Sequence, residues 1–269
     1  MLTITTSDLT PKPFPFVLKQ PFIEPELYRQ LKAEFPPNDF FDRAIGPGSR
    51  SGRDLYRGDA EFDAFMQTSP PWRTFYEYIN SEMYMRLILD MFGPYFSEFA
   101  CKVDPAKATF STYWEPRENL HAKSLLARAY SKVTPSALKT SKSEMATNDL
   151  YSRFDIQQGG VGYDKAVHCD RPNRLVSMVI YFCDADDIGM KGGELSLHEH
   201  RETKPYQEYE RHPHADNVRT IKTLKARDNL GLLFLCSNNS YHSVAGISAL
   251  NSYRNFTYIN ISSRAERIW

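Results

Sequence analysis

The chain lacks both a long apolar run and a strongly basic block. Its 269 residues include 33 Lys and Arg against 33 Asp and Glu, so the formal net charge is zero. The densest apolar stretch, Met83 to Phe92, still carries Arg86 and Asp90, and nothing approaches the roughly 20 apolar residues of a membrane span. The sequence therefore predicts no transmembrane helix. Without clustered Lys and Arg, it does not favour a nucleic-acid or anionic-membrane partner.

Cysteine is also scarce, and no targeting segment stands out. The four cysteines occur singly and mostly inside apolar segments, which is typical of free thiols in a reducing compartment: Cys101, Cys169, Cys183 and Cys236. Residues 1–16 lack the charged start and apolar run of a signal peptide. We therefore expect a cytoplasmic protein. No heptad pattern appears, so the sequence makes no prediction of oligomeric state.

The N-terminal third has helical character. Glu24 to Phe35 has an apolar helical pattern, and Pro71 to Phe99 repeats it with a break at Gly93-Pro94. Asn38 to Asp59 lacks periodicity and predicts a long loop. Lys123 to Ala146, rich in Lys, Ser, Thr and Ala, predicts a mobile insertion or a marginal helix.

Beyond about residue 108 the pattern changes to short β-branched and aromatic runs separated by polar turns. Many short strands of this kind indicate a sandwich or barrel. We predict a mainly β, α+β protein with one domain over residues 1–269, in which 1–107 is a helical bracing region and 108–269 the β core. The predicted strands are Thr109–Trp114, Leu150–Gln158, Leu175–Phe182, Glu194–Leu197, Thr220–Lys225, Leu230–Leu235 and Tyr253–Ser262.

The triplet His168-Cys169-Asp170, followed far downstream by His242, has the composition of a metal site. In an extended segment alternate side chains point the same way, so His168 and Asp170 can reach one metal while Cys169 points away. Two imidazoles and one carboxylate on one face of a metal are typical of non-haem Fe(II) oxygenases. The alternative is a chance spacing of two surface histidines and a loop Asp.

Arg254 begins a predicted strand whose apolar neighbours would carry its guanidinium inward. A buried arginine requires an anion, and a carboxylate fits its planar fork in bidentate fashion. The alternative is a structural salt bridge.

These residues belong to a longer ordered pattern. Gly162 to Asp170 (GYDKAVHCD), Gly192 to Leu195 (GGEL), Tyr241-His242 and then Arg254 resemble the Fe(II)/2-oxoglutarate-dependent dioxygenase superfamily, and in particular its prolyl-4-hydroxylase-like bacterial branch. The resemblance implies a double-stranded β-helix, or jelly roll. It also implies that His168, Asp170 and His242 bind Fe(II), that Arg254 pairs with the far carboxylate of 2-oxoglutarate, and that O₂ is consumed.

One position departs from the family pattern. Members often carry Ser two residues after the anchoring Arg, whereas Phe256 stands here. Tyr181 is therefore a candidate second contact to 2-oxoglutarate, with a core tyrosine as the alternative. A carboxylate at Asp170 favours hydroxylation, because related halogenases carry Gly or Ala at that position.

Other polar residues allow both functional and structural interpretations. Arg171 and Asn173 follow the ligand pair, where they could recognise an anionic or hydroxyl-bearing substrate or form a solvated turn. The remaining histidines (His121, His198, His200, His212 and His214) are expected at the surface, on an exposed sheet edge or in the core. The arginine-rich loop with Arg43, Arg50, Arg53 and Arg57 is either a lid over the pocket or a solvent-exposed loop.

The leading hypothesis is an oxygenase that hydroxylates an unactivated C–H bond of a small polar molecule, such as an amino acid, a sugar or a biosynthetic intermediate. In it, 2-oxoglutarate and O₂ become succinate and CO₂. The alternatives are a protein side-chain hydroxylase of the prolyl type, a non-catalytic metal-binding β-sandwich, and a cupin-type enzyme that has no need of Arg254. The sequence distinguishes hydroxylation neither from desaturation nor from cyclisation.

Overall fold

The computed structural model describes residues 1–41, 52–113, 146–202 and 209–269. The predicted insertion at 123–146 lies outside this range except for its last residue, and His121, Arg43 and Arg50 lie outside it entirely. No helix among the described residues is long and apolar enough to cross a membrane. All four cysteines are described and are free thiols, as predicted.

The described part of the N-terminal third contains four α-helices: α1 (Pro25–Ala33), α2 (Ala60–Thr68), α3 (Pro70–Ile79) and α4 (Glu82–Phe92). Helix α1 starts with a proline, and the Glu24 carboxylate caps the free N–H groups of Glu26 and Leu27. The predicted helical stretch from Pro71 divides earlier than expected, because the Ser81 hydroxyl accepts from Tyr84 N–H and starts a new helix. Helix α2 was not predicted.

Twelve strands complete the described fold, with these bounds: β1 (Leu9–Thr10), β2 (Phe16–Lys19), β3 (Gly52–Tyr56), β4 (Thr109–Phe110), β5 (Asp149–Gly159), β6 (Lys165–His168), β7 (Arg174–Tyr181), β8 (Leu195–His200), β9 (Val218–Leu224), β10 (Gly231–Leu235), β11 (Tyr241–Val244) and β12 (Arg254–Ser263). The larger sheet has the order β1-β2-β10-β7-β12-β5-β3, with β4 parallel to β5, and the smaller has the order β6-β11-β8-β9.

From β5 onward successive strands lie in different sheets, except that β8 and β9 both lie in the smaller sheet. Strands β5, β7, β10 and β12 lie in the larger sheet, while β6, β8, β9 and β11 form the smaller one, and every pairing among these eight strands is antiparallel. Two facing antiparallel sheets wound in this order form a double-stranded β-helix. The predicted fold is thereby confirmed.

The helices cover the outer face of the larger sheet. The Trp72 ring of α3 lies 6.3 Å from that of Phe154 on β5 and 5.2 Å from that of Phe182, just after β7. Burial of large aromatic rings supplies most of the stabilisation at such a layer. Because the outer face is packed, the inner face of the same strands is left to line the space between the sheets.

The loop predicted over Asn38 to Asp59 is wrong in part. Its residues 52–56 form β3, which pairs with β5 so that Asp54 lies opposite Gln157 and Tyr56 opposite Asp155. This strand was not predicted because its inner face carries polar residues, so the alternation of apolar and polar residues typical of a strand is absent. Strands β1, β2 and β3, which precede residue 107, belong to the same sheet as the later strands. The single domain stays a prediction.

Candidate metal centre

The two histidines of the triad face each other across neighbouring strands. His168 ends β6 and is directly opposite His242 of β11, with ring centroids 4.3 Å apart. Asp170 follows two residues later, at the start of the connection to β7. One ligand atom from each of the three residues lies within 4.8 Å of the others, and no other such group of His, Cys, Asp and Glu occurs in the described chain. The predicted triad is therefore brought together.

Both imidazoles are oriented through Nδ1. This nitrogen lies 2.8 Å from the Ala166 carbonyl oxygen in His168 and 3.3 Å from the Ser240 carbonyl oxygen in His242. A carbonyl oxygen accepts only, so Nδ1 carries the proton and Nε2 keeps its lone pair for a metal. Burial lowers the pKa of His168 to about 3 and also lowers that of His242. Both rings are therefore neutral near pH 7.

Asp170 is held by a set of donors that the sequence did not reveal. Oδ1 accepts from Arg174 Nη1 at 2.6 Å and from the Tyr258 hydroxyl at 3.0 Å, and Oδ2 accepts from the Ser177 hydroxyl. Burial alone would raise the pKa of Asp170, but the charge of Arg174 and the hydrogen bond from Ser177 keep it below its ordinary value. The carboxylate is therefore ionised and fixed in orientation.

A second layer supports these donors. The Asn260 amide donates to the Ser177 hydroxyl oxygen at 2.6 Å, and the Trp269 indole N–H donates to the Arg174 carbonyl at 2.7 Å. Asn260 and Trp269 are both buried. The sequence could have predicted only part of this arrangement. Because side chains alternate along a strand, Tyr258 and Asn260 of β12 lie on the same face as Arg254.

Arg254 lies at the start of β12 and is 1% exposed. Its Nη2 donates to the Tyr181 hydroxyl at 2.9 Å, whereas Nε and Nη1 have no hydrogen-bond partner among the described residues. Its Cζ lies 4.5 Å from the Phe256 ring centroid and 5.5 Å from that of Tyr163. A buried guanidinium with two unsatisfied N–H groups has the chemistry of an anion site.

Where the family pattern has a serine hydroxyl, Phe256 places an aromatic ring against the guanidinium. A hydroxyl comes instead from Tyr181 on the neighbouring strand. Phe256 and Tyr181 are direct cross-strand partners on β12 and β7. The salt-bridge alternative for Arg254 finds no acid in the described chain. Tyr181 as a contact to 2-oxoglutarate stays a prediction.

Arg171 and Asn173, the two candidates for substrate binding, both make contacts that stabilise the fold. The Asn173 amide donates to the Ser263 carbonyl at 3.4 Å, and the Arg171 carbonyl accepts from Arg174 N–H in a turn. Their role in substrate binding stays a prediction. Outside the site, His198 does not lie on an exposed edge as expected, because it is buried between β11 and β9 and bonded to Ser243 and Thr220.

Part of the arginine-rich loop lies close to the anion site. Arg53 Nη2 donates to the Tyr253 hydroxyl at 2.5 Å, and its Cζ lies 4.7 Å from the Tyr253 ring centroid. Arg53 is thereby attached to the residue before Arg254. Of the four arginines considered for a lid, only Arg53 and Arg57 fall within the described residues.

Comparison with known proteins gives matches at the level of structure alone. No family model and no curated protein matches the sequence. A prolyl-4-hydroxylase from Pseudomonas putida is 13% identical, with 92% of this chain and 91% of that one covered and a TM-score of 0.44. HygX from Streptomyces hygroscopicus, solved with nickel and 2-oxoglutarate, is 9% identical, with 94% and 85% covered and a TM-score of 0.43.

A third similar structure is a prolyl hydroxylase from Trichoplax adhaerens in complex with a hypoxia inducible factor peptide. It is 11% identical, with 94% of this chain and 85% of that one covered and a TM-score of 0.41. At these identities and scores, the fold is established by the strand order of the chain itself. The chain has a double-stranded β-helix.

The residues present fit the groups that the sequence resemblance implies. Two imidazole Nε2 atoms and one ionised carboxylate within mutual reach suit Fe(II). The unpaired Nε and Nη1 of Arg254 suit one carboxylate of 2-oxoglutarate. Two observations therefore support the fit: the ligand types of the triad and the unsatisfied guanidinium of Arg254. A purely structural metal site would not need that guanidinium.

Proposed function

We propose that the protein is an Fe(II)- and 2-oxoglutarate-dependent oxygenase that hydroxylates a C–H bond of a small polar molecule. The observation that carries this proposal is the pairing of the triad with Arg254, whose buried guanidinium keeps two unsatisfied N–H groups. A metal site without a keto-acid co-substrate has no use for a buried arginine with open donors. This pairing disfavours the cupin-type and non-catalytic alternatives.

Each residue has a defined task. His168, Asp170 and His242 would hold Fe(II), which with 2-oxoglutarate and O₂ supplies the oxidation and releases succinate and CO₂. Arg254 would bind and orient the far carboxylate of 2-oxoglutarate, with Tyr181 holding the guanidinium in place. The aromatic rings of Tyr163, Tyr181 and Phe256 exclude water around Arg254, which strengthens its pairing with an anion.

The test is anaerobic reconstitution with Fe(II), addition of 2-oxoglutarate and visible spectroscopy. We expect a weak charge-transfer band from the chelated keto acid, and at limiting 2-oxoglutarate we expect its loss in Arg254→Ala. Arg219→Ala is the matched control, because Arg219 is an exposed arginine paired with Glu199 on the outer strand β9. Iron binding without any band would contradict the proposal.

The choice of substrate is tested separately by succinate release. Stimulation by amino acids, sugars or related metabolites would support the proposal. Stimulation by a folded protein or a prolyl peptide alone would assign the protein to side-chain hydroxylation, while leaving the cofactor assignment intact.

A further inference from the structure

The three ligands differ in their access to solvent. Asp170 is 1% and His242 7% exposed, whereas His168 is only half-buried. Solvent therefore reaches the triad on the side of His168, and the residues beside that ring border the entrance to the metal centre.

Residues 209–213, here called the rim segment, follow the metal-binding segment closely. Cys169 N–H donates to the Arg211 carbonyl at 2.9 Å, and the Tyr209 hydroxyl donates to the Asp170 carbonyl at 3.3 Å. The His212 ring centroid lies 6.0 Å from that of His168. These contacts fix the backbone of the rim segment against the entrance, so its exposed side chains are held beside the site.

Arg211 is the exposed cation of the rim segment. Its side chain has no hydrogen bond and no ion pair to another described residue, in contrast to Arg171, which has a partner. Cys169, the residue whose N–H donates to the Arg211 carbonyl, stands between the ligands His168 and Asp170 in the chain. The guanidinium is therefore attached beside the metal-binding segment and is unpaired in the described chain.

We propose that Arg211 binds an anionic group of the substrate, a carboxylate in preference to a neutral group, at the entrance to the metal centre. This inference rests on the proposed function and narrows its substrate class to small acids, among them amino acids. A planar guanidinium pairs with a carboxylate through two parallel hydrogen bonds, and one positive charge matches one negative charge. The fixed backbone of the rim segment would hold that carboxylate while the remainder of the molecule extends inward.

The experiment uses the whole chain loaded with Mn(II) and 2-oxoglutarate under argon. The probes are acetate and its neutral analogue acetamide, and the readout is the paramagnetic relaxation of their methyl protons. We expect acetate to be relaxed at least about threefold more strongly by the wild type than by Arg211→Gln. Acetamide should be relaxed equally by both proteins. Arg219→Gln, the exposed arginine on the far strand of the small sheet, should behave as wild type.

Equal relaxation of acetate by the wild type and Arg211→Gln would overturn the inference, and so would equal effects on acetate and acetamide. Water-proton relaxation in the same samples reports whether Mn(II) and 2-oxoglutarate are bound. If neither is bound, the proposed function fails and the inference falls with it. If both are bound and acetate shows no dependence on Arg211, only the inference fails.

Discussion

The Tyr258 hydroxyl donates a hydrogen bond to Asp170 Oδ1 at 3.0 Å from the same strand face that carries Arg254. Strand β12 thus contributes to both halves of the centre. One of its side chains orients a metal ligand, and another provides the unpaired guanidinium. The following predictions test these contributions and the packing beneath them.

Removing the Tyr258 hydroxyl should weaken metal binding. In Tyr258→Phe, Asp170 Oδ1 loses one oriented donor, and loss of such an outer partner typically costs about 10-fold or more in metal affinity. Titration with Co(II) under argon measures the change. The control is Tyr84→Phe, because the Tyr84 hydroxyl is buried in α4 and has no hydrogen-bond partner among the described residues. Equal affinities of the two variants would contradict the positioning role of Tyr258.

Removing the Tyr181 hydroxyl should weaken binding of 2-oxoglutarate and leave metal affinity unchanged. The hydroxyl accepts from Arg254 Nη2, and a net contribution of about 1 kcal/mol for this bond corresponds to roughly a fivefold rise in the Kd of 2-oxoglutarate in Tyr181→Phe. Titration of the Fe(II) protein followed by the charge-transfer band gives this Kd. An unchanged Kd would assign Tyr181 to the core alone.

The stability of the metal-free protein should fall as the pH drops below neutral. The pKa of His168 is lowered to about 3 in the folded state, and that of His242 is lowered too. The unfolded chain, in which histidine has a pKa of about 6.5, therefore binds protons first. This stabilising contribution is complete above about pH 6.5 and is lost as the pH falls towards the folded-state values.

Urea unfolding at pH 7.5, 6.5 and 5.5 checks this prediction. The double variant His168→Gln/His242→Gln should show a flatter dependence on pH than the wild type, while the exposed-site control His214→Gln should retain the wild-type dependence. Identical slopes for the double variant and the wild type would contradict it. Metal affinity should decrease over the same interval, because a protonated imidazole cannot bind a metal.

Breaking the buried ion pair on β5 should strongly destabilise the fold. Arg153 Nη2 lies 2.7 Å from Asp155 Oδ2, and the Asp155 side chain is 0% exposed. Asp155→Ala leaves a largely buried guanidinium unpaired, which typically costs about 3–5 kcal/mol in the free energy of unfolding. The control is Asp149→Ala on the same strand, whose more exposed pair with Arg264 should contribute at most about 1 kcal/mol. Urea denaturation measures both, and equal losses would contradict the prediction.

The sequence predicted the features that depend on local pattern and on spaced motifs. His168, Asp170 and His242 come together as expected, because strand alternation and the order of the motifs fix their directions. Arg254 is buried at the start of β12, as its apolar neighbours predicted. Most strands of the β core begin within two residues of their predicted positions, as β10 does at Gly231. These elements carry the apolar runs that make a strand recognisable.

What could not be predicted depends on partners distant in the chain. Tyr258, Ser177 and Trp269 act on Asp170 directly or through Arg174, and no local pattern separates them from ordinary core residues. Strand β3 was missed because its polar inner face is matched by polar residues of β5, a pairing that exists only after folding. Arg211 of the rim segment likewise gains its position through contacts with residues distant in the chain, among them the hydrogen bond from Cys169 N–H.

Arg254 and Tyr258 lie four residues apart on the same face of one continuous antiparallel strand. A strand has a period of two, so inserting or deleting a single residue between them would turn one of the two side chains to the helix-covered face of the sheet. The proposed anchorage of the co-substrate by Arg254 and the orientation of Asp170 by Tyr258 therefore depend on the same strand register. A change of length by one residue between them would therefore separate the two contributions of this strand.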